Sequence, residues 1–202
     1  AHMTRWPCPA SCCVPAVSPC FRTGSARVAA PTTVVKCSGK MMPNKMPRIA
    51  VDAMGGDFGP GVIIPGALHA ARAGRAAIVL VGDENVMQEC LSRVDVSGLP
   101  LSVVHASQVV EMEEKPSEAL RRKKDSSIQV ACNLVRDGEV DGVISAGHSG
   151  ASLACAMFTI GRVPGVERPA MATFMPTEHA HSIIIDVGAN VDCRPFTCCS
   201  LA

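Results

Sequence analysis

Aromatic residues are scarce in this chain of 202 residues, which has no Tyr, one Trp and five Phe. Proteins that hold single-stranded nucleic acid stack its bases on aromatic side chains, so this shortage argues against such a surface. The sequence also has no run of 18 or more apolar residues, so we expect no membrane-spanning helix. We therefore expect neither a nucleic-acid partner nor an integral membrane segment.

Acidic residues are absent from residues 1–47, which contain six Lys and Arg. Residues 48–202 contain 13 Lys and Arg against 18 Asp and Glu. The larger part of the chain is therefore acidic, and it is not a general binder of polyanions.

The first 46 residues lack a regular hydrophobic period and hold five of the eleven cysteines. Prolines and cysteines interrupt any secretory signal, and no amphipathic helix supports an organelle transit peptide. The paired spacings and the His partner of a zinc module are missing around Cys8, Cys12, Cys13 and Cys20. We expect residues 1–46 to be a disordered extension without function, translated ahead of a start at Met41, Met42 or Met46.

From Pro47 onward, apolar strands alternate with helical patterns. The alternation predicts a mostly parallel sheet covered on both faces, in which ligands bind beyond the carboxyl ends of the strands. In the first helix, we expect Ile63, Ala67 and Ala70 to face the core. The predicted strands are 48–52, 76–81, 101–104, a short run ending at 143–144, 171–175 and 182–187, and the helices include 62–72, 84–93 and two segments within 116–135.

A glycine-rich loop follows the first of these strands and contains Gly55, Gly56 and Asp57. It has neither the G-x-G-x-x-G spacing of a dinucleotide site nor the G-K-[ST] ending of a P-loop. Asp52 and Asp57 could hold a cation or orient basic side chains, or they could simply cap and turn the loop. A carboxylate that ends an apolar strand needs a partner, which favours a functional role for Asp52.

A second glycine turn, which begins at Ser145 and contains Gly147-His148-Ser149-Gly150, joins the short run ending at 143–144 to a helix. Unpaired N–H groups at a helix N-terminus favour an anion, although such turns also serve only for tight packing. Both interpretations stay open from this stretch alone. Asp52, His105 and this turn all follow strands, so we expect them at one edge of the sheet.

A basic run, Arg121-Arg122-Lys123-Lys124, precedes the hydroxyl pair Ser126-Ser127. Cations beside hydroxyls at a helix start suit an anionic ligand, but a charge run is commonly a solvated helix face. Cys132 and Cys155 fall on apolar helix faces, where we expect core thiols rather than nucleophiles.

Taken together, these stretches resemble a known family. The motifs DAMGGD at 52–57, KPSEALRRKKDSS at 115–127, DGVISAGHSGA at 141–151, ERPA at 167–170 and IIDVGANVDCRP at 184–195 occur in this order. They are similar to those of the bacterial phosphate acyltransferases of phospholipid synthesis. The resemblance covers residues 47–195, and where the family usually has Asn-Thr this chain has His148-Ser149.

The resemblance implies a truncated, doubly wound α/β fold like those of isocitrate dehydrogenase and phosphotransacetylase. It implies transfer of a long-chain acyl group from acyl carrier protein to inorganic phosphate, with no cofactor and no metal. Lys115, Lys124 and Asp52 are then the catalytic candidates. Phosphate or substrate would contact Gly55, Gly56, Asp57, Arg121, Ser126, Gly147, His148, Ser149, Gly150, Asp186 and Asn190.

The resemblance also implies a homodimer in full-length members and a downstream glycerol-3-phosphate acyltransferase that uses the acyl phosphate. It implies a cytoplasmic protein, with peripheral attachment to the inner face of the membrane as an open alternative.

Residues 196–202 leave the family pattern, and we expect a frameshift or an interrupted gene there. The α/β core at 47–195 would then be incomplete. An inactive phosphate- or acyl-binding fragment and a short-chain phosphotransacetylase-like enzyme stay open as alternatives.

Overall fold

A computed structural model describes residues 46–162, 169–177 and 181–185, together with the backbone of 33–36. Residues 31–164 form one compact unit, and a C-terminal hairpin belongs to a second unit. The elements of the first unit are β1 (Thr33–Lys36), β2 (Arg48–Asp52), α1 (Pro60–Arg72), β3 (Ala77–Gly82), α2 (Glu84–Ser92), β4 (Leu101–His105), α3 (Pro116–Arg122), α4 (Ser127–Arg136), β5 (Gly142–Ser145) and α5 (Ser149–Cys155). A π-helical turn, Ala156–Ile160, continues α5.

The sheet of this unit has the strand order β1-β5-β2-β3-β4. Four neighbouring strands, β5, β2, β3 and β4, run parallel, and β1 joins the edge antiparallel to β5. The predicted α/β class with a mostly parallel sheet is confirmed. Strand β1 lies inside the segment predicted to be an unstructured extension, so the structure differs from that expectation at these four residues.

Consecutive residues of β2 and β3 point to opposite faces of the sheet, and helices cover the apolar side chains on each face. Ala50, Val79 and Val81 pack with α4 and α5 in one apolar cluster. Val51 and Leu80 pack in the other with α1 and α2. A doubly wound arrangement follows directly from this alternation, since each strand must bury apolar side chains on two sides.

Helix α1 buries Ile64, Ala67, Leu68 and Ala71. The predicted core face is confirmed at Ala67, and Ile63 is partly buried against the same cluster, but the prediction was wrong at Ala70, which is exposed. The helix also begins at Pro60, earlier than predicted, which places Pro65 in its second turn. Two adjacent isoleucines and a run of alanines give similar hydrophobicity on neighbouring faces, so periodicity could not separate them.

Helix α2 begins after Asp83, whose Oδ1 accepts the backbone N–H groups of Asn85 at 2.9 Å and Val86 at 3.3 Å. Asp83 is therefore the N-cap residue of α2. His105, at the end of β4, adds a second acceptor, because its Nδ1 accepts from Glu84 N at 3.3 Å. These contacts fix the start of α2 at the carboxyl edge of the sheet.

In the second unit, β6 (Ala172–Pro176) and β7 (His181–Ile185) form an antiparallel hairpin. Both strands were predicted, with boundaries that differ by one or two residues. Within the described part of the chain, no helix has the length and apolar content needed to cross a bilayer.

Candidate active site

The centre of the candidate site is a buried hydrogen bond between the ends of two neighbouring strands. Asp52 closes β2 and Ser145 closes β5, and the two residues are paired across the parallel ladder. Each is 3% exposed. Ser145 Oγ donates to Asp52 Oδ2 at 2.7 Å, and Met54 N donates to Asp52 Oδ1 at 3.2 Å. The carboxylate thus has neutral donors on both oxygens, as a buried polar group requires.

Two glycine turns meet above this pair. A Cβ on Gly55 would lie 2.7 Å from Asp52 Oδ2 and 2.9 Å from Gly147 N, so only glycine permits this approach. A Cβ on Gly147 would lie 3.3 Å from Gly55 Cα. Gly56 has a φ of +84°, and a Cβ there would lie 3.0 Å from the Ala146 carbonyl oxygen. The loop after β2 therefore packs backbone to backbone against the turn after β5.

His148 caps helix α5. Its Nδ1 accepts the backbone N–H groups of Gly150 at 3.1 Å and Ala151 at 3.4 Å. The Gly147 N–H is also engaged, since it donates to Ser145 Oγ at 3.1 Å. The sequence left an anion site and a packing turn both open for this stretch, and in the structure the N–H groups of Gly147, Gly150 and Ala151 are already paired. Ser149 is exposed at the first position of the helix.

The start of α3 lies beside this turn. A Cβ on Gly150 would lie 3.0 Å from Pro116 Cγ, which shows how closely the two helix starts approach. Lys115 is the N-cap residue of α3, although its side chain makes no capping hydrogen bond. The structure therefore brings the chain at Lys115 next to the Gly147–Gly150 turn.

The predicted cations differ in exposure from their neighbour Lys123. Lys115, Arg121 and Lys124 are exposed. Lys123, which the sequence did not single out, is partly buried and donates to Val109 O at 2.7 Å and to Glu114 Oε1 at 2.6 Å. In the described ranges, the first three make no ion pair, so they are available to an anionic ligand.

Ser126 and Ser127 are buried at the start of α4. Ser126 is the N-cap residue, as the predicted break indicated, but its side chain makes no capping hydrogen bond. The neighbouring Asp125 accepts from the Ser107 hydroxyl at 2.5 Å and from the Ser107 N–H at 2.9 Å. These two hydrogen bonds hold the pKa of Asp125 below its ordinary value.

Cys132 and Cys155 are both buried in the cluster under α4 and α5. Contact with the Cys155 thiol, together with burial, raises the pKa of Cys132. Burial keeps both thiols out of reach of a substrate, which agrees with the predicted core role.

The remaining predicted positions have different outcomes. Asp57 is exposed in the loop after β2. His105 lies at the same edge of the sheet as Asp52 but two strands away, on β4. Asp186 and Asn190 lie outside the residues that the structure describes. Among the described residues, no three His, Cys, Asp or Glu side chains gather as a metal site.

The partner of Asp52 is the main feature that the sequence did not identify as functional. Ser145 was placed at the edge of the sheet but given no role. A hydroxyl that ends one strand and a carboxylate that ends another were the available signal. Their contact depends on β5 lying next to β2, and the two residues are 93 positions apart in the chain.

Comparison with known proteins supports the family resemblance. Residues 47–201 match the model of a family described as fatty acid synthesis protein. The phosphate acyltransferase of Oleidesulfovibrio alaskensis is 57% identical over 155 residues, which are 77% of this chain and 45% of that protein. The enzyme of the same name from Nitratidesulfovibrio vulgaris is 62% identical over 147 residues, 73% of this chain and 43% of that protein.

A third relative, from Lawsonia intracellularis, carries the same name and is 55% identical over 148 residues. The chain spans less than half the length of these curated relatives. The family match nevertheless covers the two glycine turns, the Asp52–Ser145 pair and the basic helix. By this match, the chain belongs to the fatty acid synthesis protein family.

Proposed function

We propose that this chain carries the phosphate-handling part of an enzyme that moves a long-chain acyl group from acyl carrier protein to inorganic phosphate. The observation that carries the proposal is the junction of the two glycine turns over the buried Asp52–Ser145 pair. Exposed cations lie on and next to α3, and the first of them, Lys115, is at the helix start that approaches this junction. The names of the relatives supply the reaction class, acyl transfer to phosphate.

In the proposed reaction, a phosphate oxygen attacks the thioester carbonyl carbon. A C–O bond forms, the C–S bond breaks, and the carrier leaves as a thiol after taking the proton that phosphate loses. Phosphate is itself the nucleophile, so the site needs no Ser–His pair. It must hold a dianion against the carbonyl and stabilise the oxyanion that develops there.

The proposed roles follow from position. Lys115, Arg121 and Lys124 offset the charge of phosphate, because they are exposed on or flanking the helix that approaches the Gly147–Gly150 turn. Ser149, which is exposed at the first position of α5, supplies a hydroxyl donor, and Ser126, which is buried at the start of α4, stays a candidate from the motifs. Asp52 anchors the junction, and its partners in the described residues are a hydroxyl and a backbone N–H rather than a cation. Gly55, Gly56 and His148 belong to the two turns at this junction, and Asp57, Asp186 and Asn190 stay candidates from the motifs.

The proposal extends to partners. Acyl carrier protein is the acyl donor, and a glycerol-3-phosphate acyltransferase consumes the acyl phosphate in phospholipid synthesis. We further propose a cytoplasmic homodimer for the complete protein.

The first test is a thermal melt of the chain with and without millimolar phosphate, against chloride at matched ionic strength. A ligand that binds only the folded state must stabilise it, by about 1.4 kcal/mol when phosphate is at roughly ten times its Kd. Acyl transfer is then measured with acyl carrier protein thioesters and with acetyl-CoA. Preference for acetyl-CoA would replace the proposal with a short-chain phosphotransacetylase, and binding without turnover would indicate a binding fragment.

A matched pair of variants tests the cations. Lys124→Ala removes one exposed charge just beyond the end of α3, which the proposal assigns to phosphate. Arg75→Ala removes one exposed charge just before β3, at the opposite edge of the sheet. We expect Lys124→Ala to abolish most of the stabilisation by phosphate and Arg75→Ala to retain it. Equal responses of the two variants would remove Lys124 from the site.

A further inference from the structure

Ser145 occupies an unusual place, because its hydroxyl joins a buried carboxylate to the backbone of a glycine turn. The Oγ atom donates to Asp52 Oδ2 at 2.7 Å and accepts from Gly147 N at 3.1 Å. A carboxylate only accepts, so the hydroxyl hydrogen must point toward Asp52 and a lone pair toward Gly147. The direction of the whole chain of hydrogen bonds is therefore set by Asp52.

The backbone contact above this chain has little tolerance. The hypothetical Cβ distances of 2.9 Å from Gly55 to Gly147 N and 3.3 Å from Gly147 to Gly55 Cα leave no room for either turn to shift toward the other. Asp52 Oδ2 lies under both glycines, 2.7 Å and 3.6 Å from the same hypothetical atoms. One side-chain pair thus touches both turns.

We propose that Ser145 is a positioning residue. Its hydroxyl is held by Asp52 and in turn holds the Gly147 N–H. These two hydrogen bonds keep the two glycine turns in the register needed for phosphate. This role rests on the proposed function for its link to phosphate, but not for its effect on the turns. Preorganised backbone groups stabilise developing charge because they need not reorient during the reaction. Loss of the hydroxyl leaves the Gly147 N–H without its acceptor and frees the turn to move.

Burial separates this role from covalent catalysis. Ser145 is 3% exposed and its hydrogen is committed to Asp52, so a thioester has no access to the Oγ atom. The neighbouring imidazole is also committed, because His148 Nδ1 accepts from the start of α5. The Ser145 hydroxyl therefore acts through Gly147 rather than on the substrate.

The test compares the full chain with Ser145→Ala, with Ser145→Thr, which keeps a hydroxyl, and with Ser102→Ala. Ser102 is exposed on β4 and gives the same chemical change away from the site. Amide hydrogen exchange is followed for residues 146–151. Loss of one hydrogen bond predicts exchange that is faster by roughly fivefold to tenfold in Ser145→Ala. Ser145→Thr and Ser102→Ala should stay within about twofold of the wild-type rate.

The second readout is the phosphate concentration at half-maximal acyl transfer. We expect Ser145→Ala to raise it by about tenfold while the half-saturating concentration of acyl donor changes by less than about twofold. A purely structural loss of folded enzyme lowers kcat and leaves both concentrations unchanged, so this split distinguishes positioning from stability. Wild-type exchange at 146–151 in Ser145→Ala, an unshifted phosphate requirement, or an acyl group found on Ser145 by mass spectrometry would each overturn the inference.

Two further results would separate the positioning role from the proposed function and from a failure to fold. If the wild type shows no phosphate-dependent turnover but Ser145→Ala still loosens residues 146–151, the proposed function fails and the positioning of the turns stands. If Ser145→Ala does not fold, Asp52→Asn replaces it. With the amide oxygen on Met54 N, the amide nitrogen faces Oγ, so the hydroxyl hydrogen loses its acceptor and is free to turn toward Gly147 N in place of a lone pair. The same faster exchange is expected there, and an unchanged rate would refute the role.

Discussion

At the scale of the residue, the tightest constraint is the absence of a side chain at Gly55. Replacing Gly55 by Ala would place a methyl group 2.7 Å from a buried carboxylate oxygen and 2.9 Å from a backbone nitrogen, neither of which can move freely. We expect Gly55→Ala to destabilise the fold by about 1–3 kcal/mol. Urea unfolding measures this cost.

Gly66→Ala is the matched control for that substitution. It lies within α1, and its Cβ would meet nothing within 4 Å. Because Ala favours the helix over Gly, we expect a gain of about 0.5–1 kcal/mol. Equal stability of the two variants would show that the turns are looser than the contacts indicate.

A second residue-scale prediction concerns acid titration at Asp125. Its pKa is lowered by the Ser107 hydroxyl and then by the Ser107 N–H. A carboxyl group whose pKa is lowered in the folded state stabilises the fold. This stabilisation is complete above the ordinary Asp pKa of about 3.9 and is lost as the pH falls through the lowered pKa. Ser107→Ala should move the pKa of Asp125 part of the way back up, and carboxyl carbon NMR titration measures the shift. An unmoved titration, matching Ser102→Ala, would contradict the assigned cause.

At the scale of the element, helix α3 is held to the preceding loop by Lys123. Its ammonium group donates to the Val109 carbonyl and to the Glu114 carboxylate. The Lys123 side chain is about three-quarters buried and the Glu114 side chain about two-thirds buried. Lys123→Ala leaves both acceptors without a charged donor, which predicts a loss of about 1–2 kcal/mol. Arg122→Ala, exposed on the same helix, should change stability by less than about 0.5 kcal/mol. Chemical denaturation compares them, and equal losses would exclude a specific role for Lys123.

The elements themselves were largely predictable from the sequence. Strand β2 was predicted with its observed bounds, and the two helices within 116–135 were predicted as separate segments. Continuous apolar runs and the Pro and Asp signals at helix starts carry this information locally. Strand β1 was missed because its segment has no such pattern, and its four residues pair only at the edge of the sheet.

The site was predictable only in part, for a physical reason. Glycine turns and charge runs are local features, so the sequence indicated the right stretches. The Asp52–Ser145 hydrogen bond forms because β5 lies next to β2 in the sheet. Strands β3 and β4, which come between them in the sequence, lie on the other side of β2. Strand order is a property of the whole fold. The same reason explains Lys123, which looks identical to its basic neighbours until the loop at Val109 and Glu114 folds against it.

At the scale of the whole molecule, the two apolar clusters of residues 31–164 share strands β2 and β3. Neither face can lose its helices without exposing strands that the other face needs. We therefore expect one cooperative unfolding transition for this unit. Leu68→Ala on one face and Ile128→Ala on the other should each lower its free energy of unfolding by about 2–5 kcal/mol, since both side chains are buried.

Urea unfolding followed by hydrogen exchange at both faces provides the measurement. Each variant should loosen α1 and α4 together. Separate transitions for the two faces would show that the sheet does not couple them. Val103→Ala serves as the control, because this side chain is 38% exposed on β4 and should cost much less.

The capping hydrogen bonds at the start of α5 also fix the tautomer of the His148 imidazole. Because His148 Nδ1 accepts two backbone N–H groups, the neutral ring carries its proton on Nε2. In that tautomer, the free side of the ring gives a hydrogen bond and cannot take a proton. The family to which the motifs are similar usually has Asn at this position, and an Asn cap likewise accepts with its oxygen and donates with its amide nitrogen. The imidazole thus reproduces the polarity of a carboxamide cap.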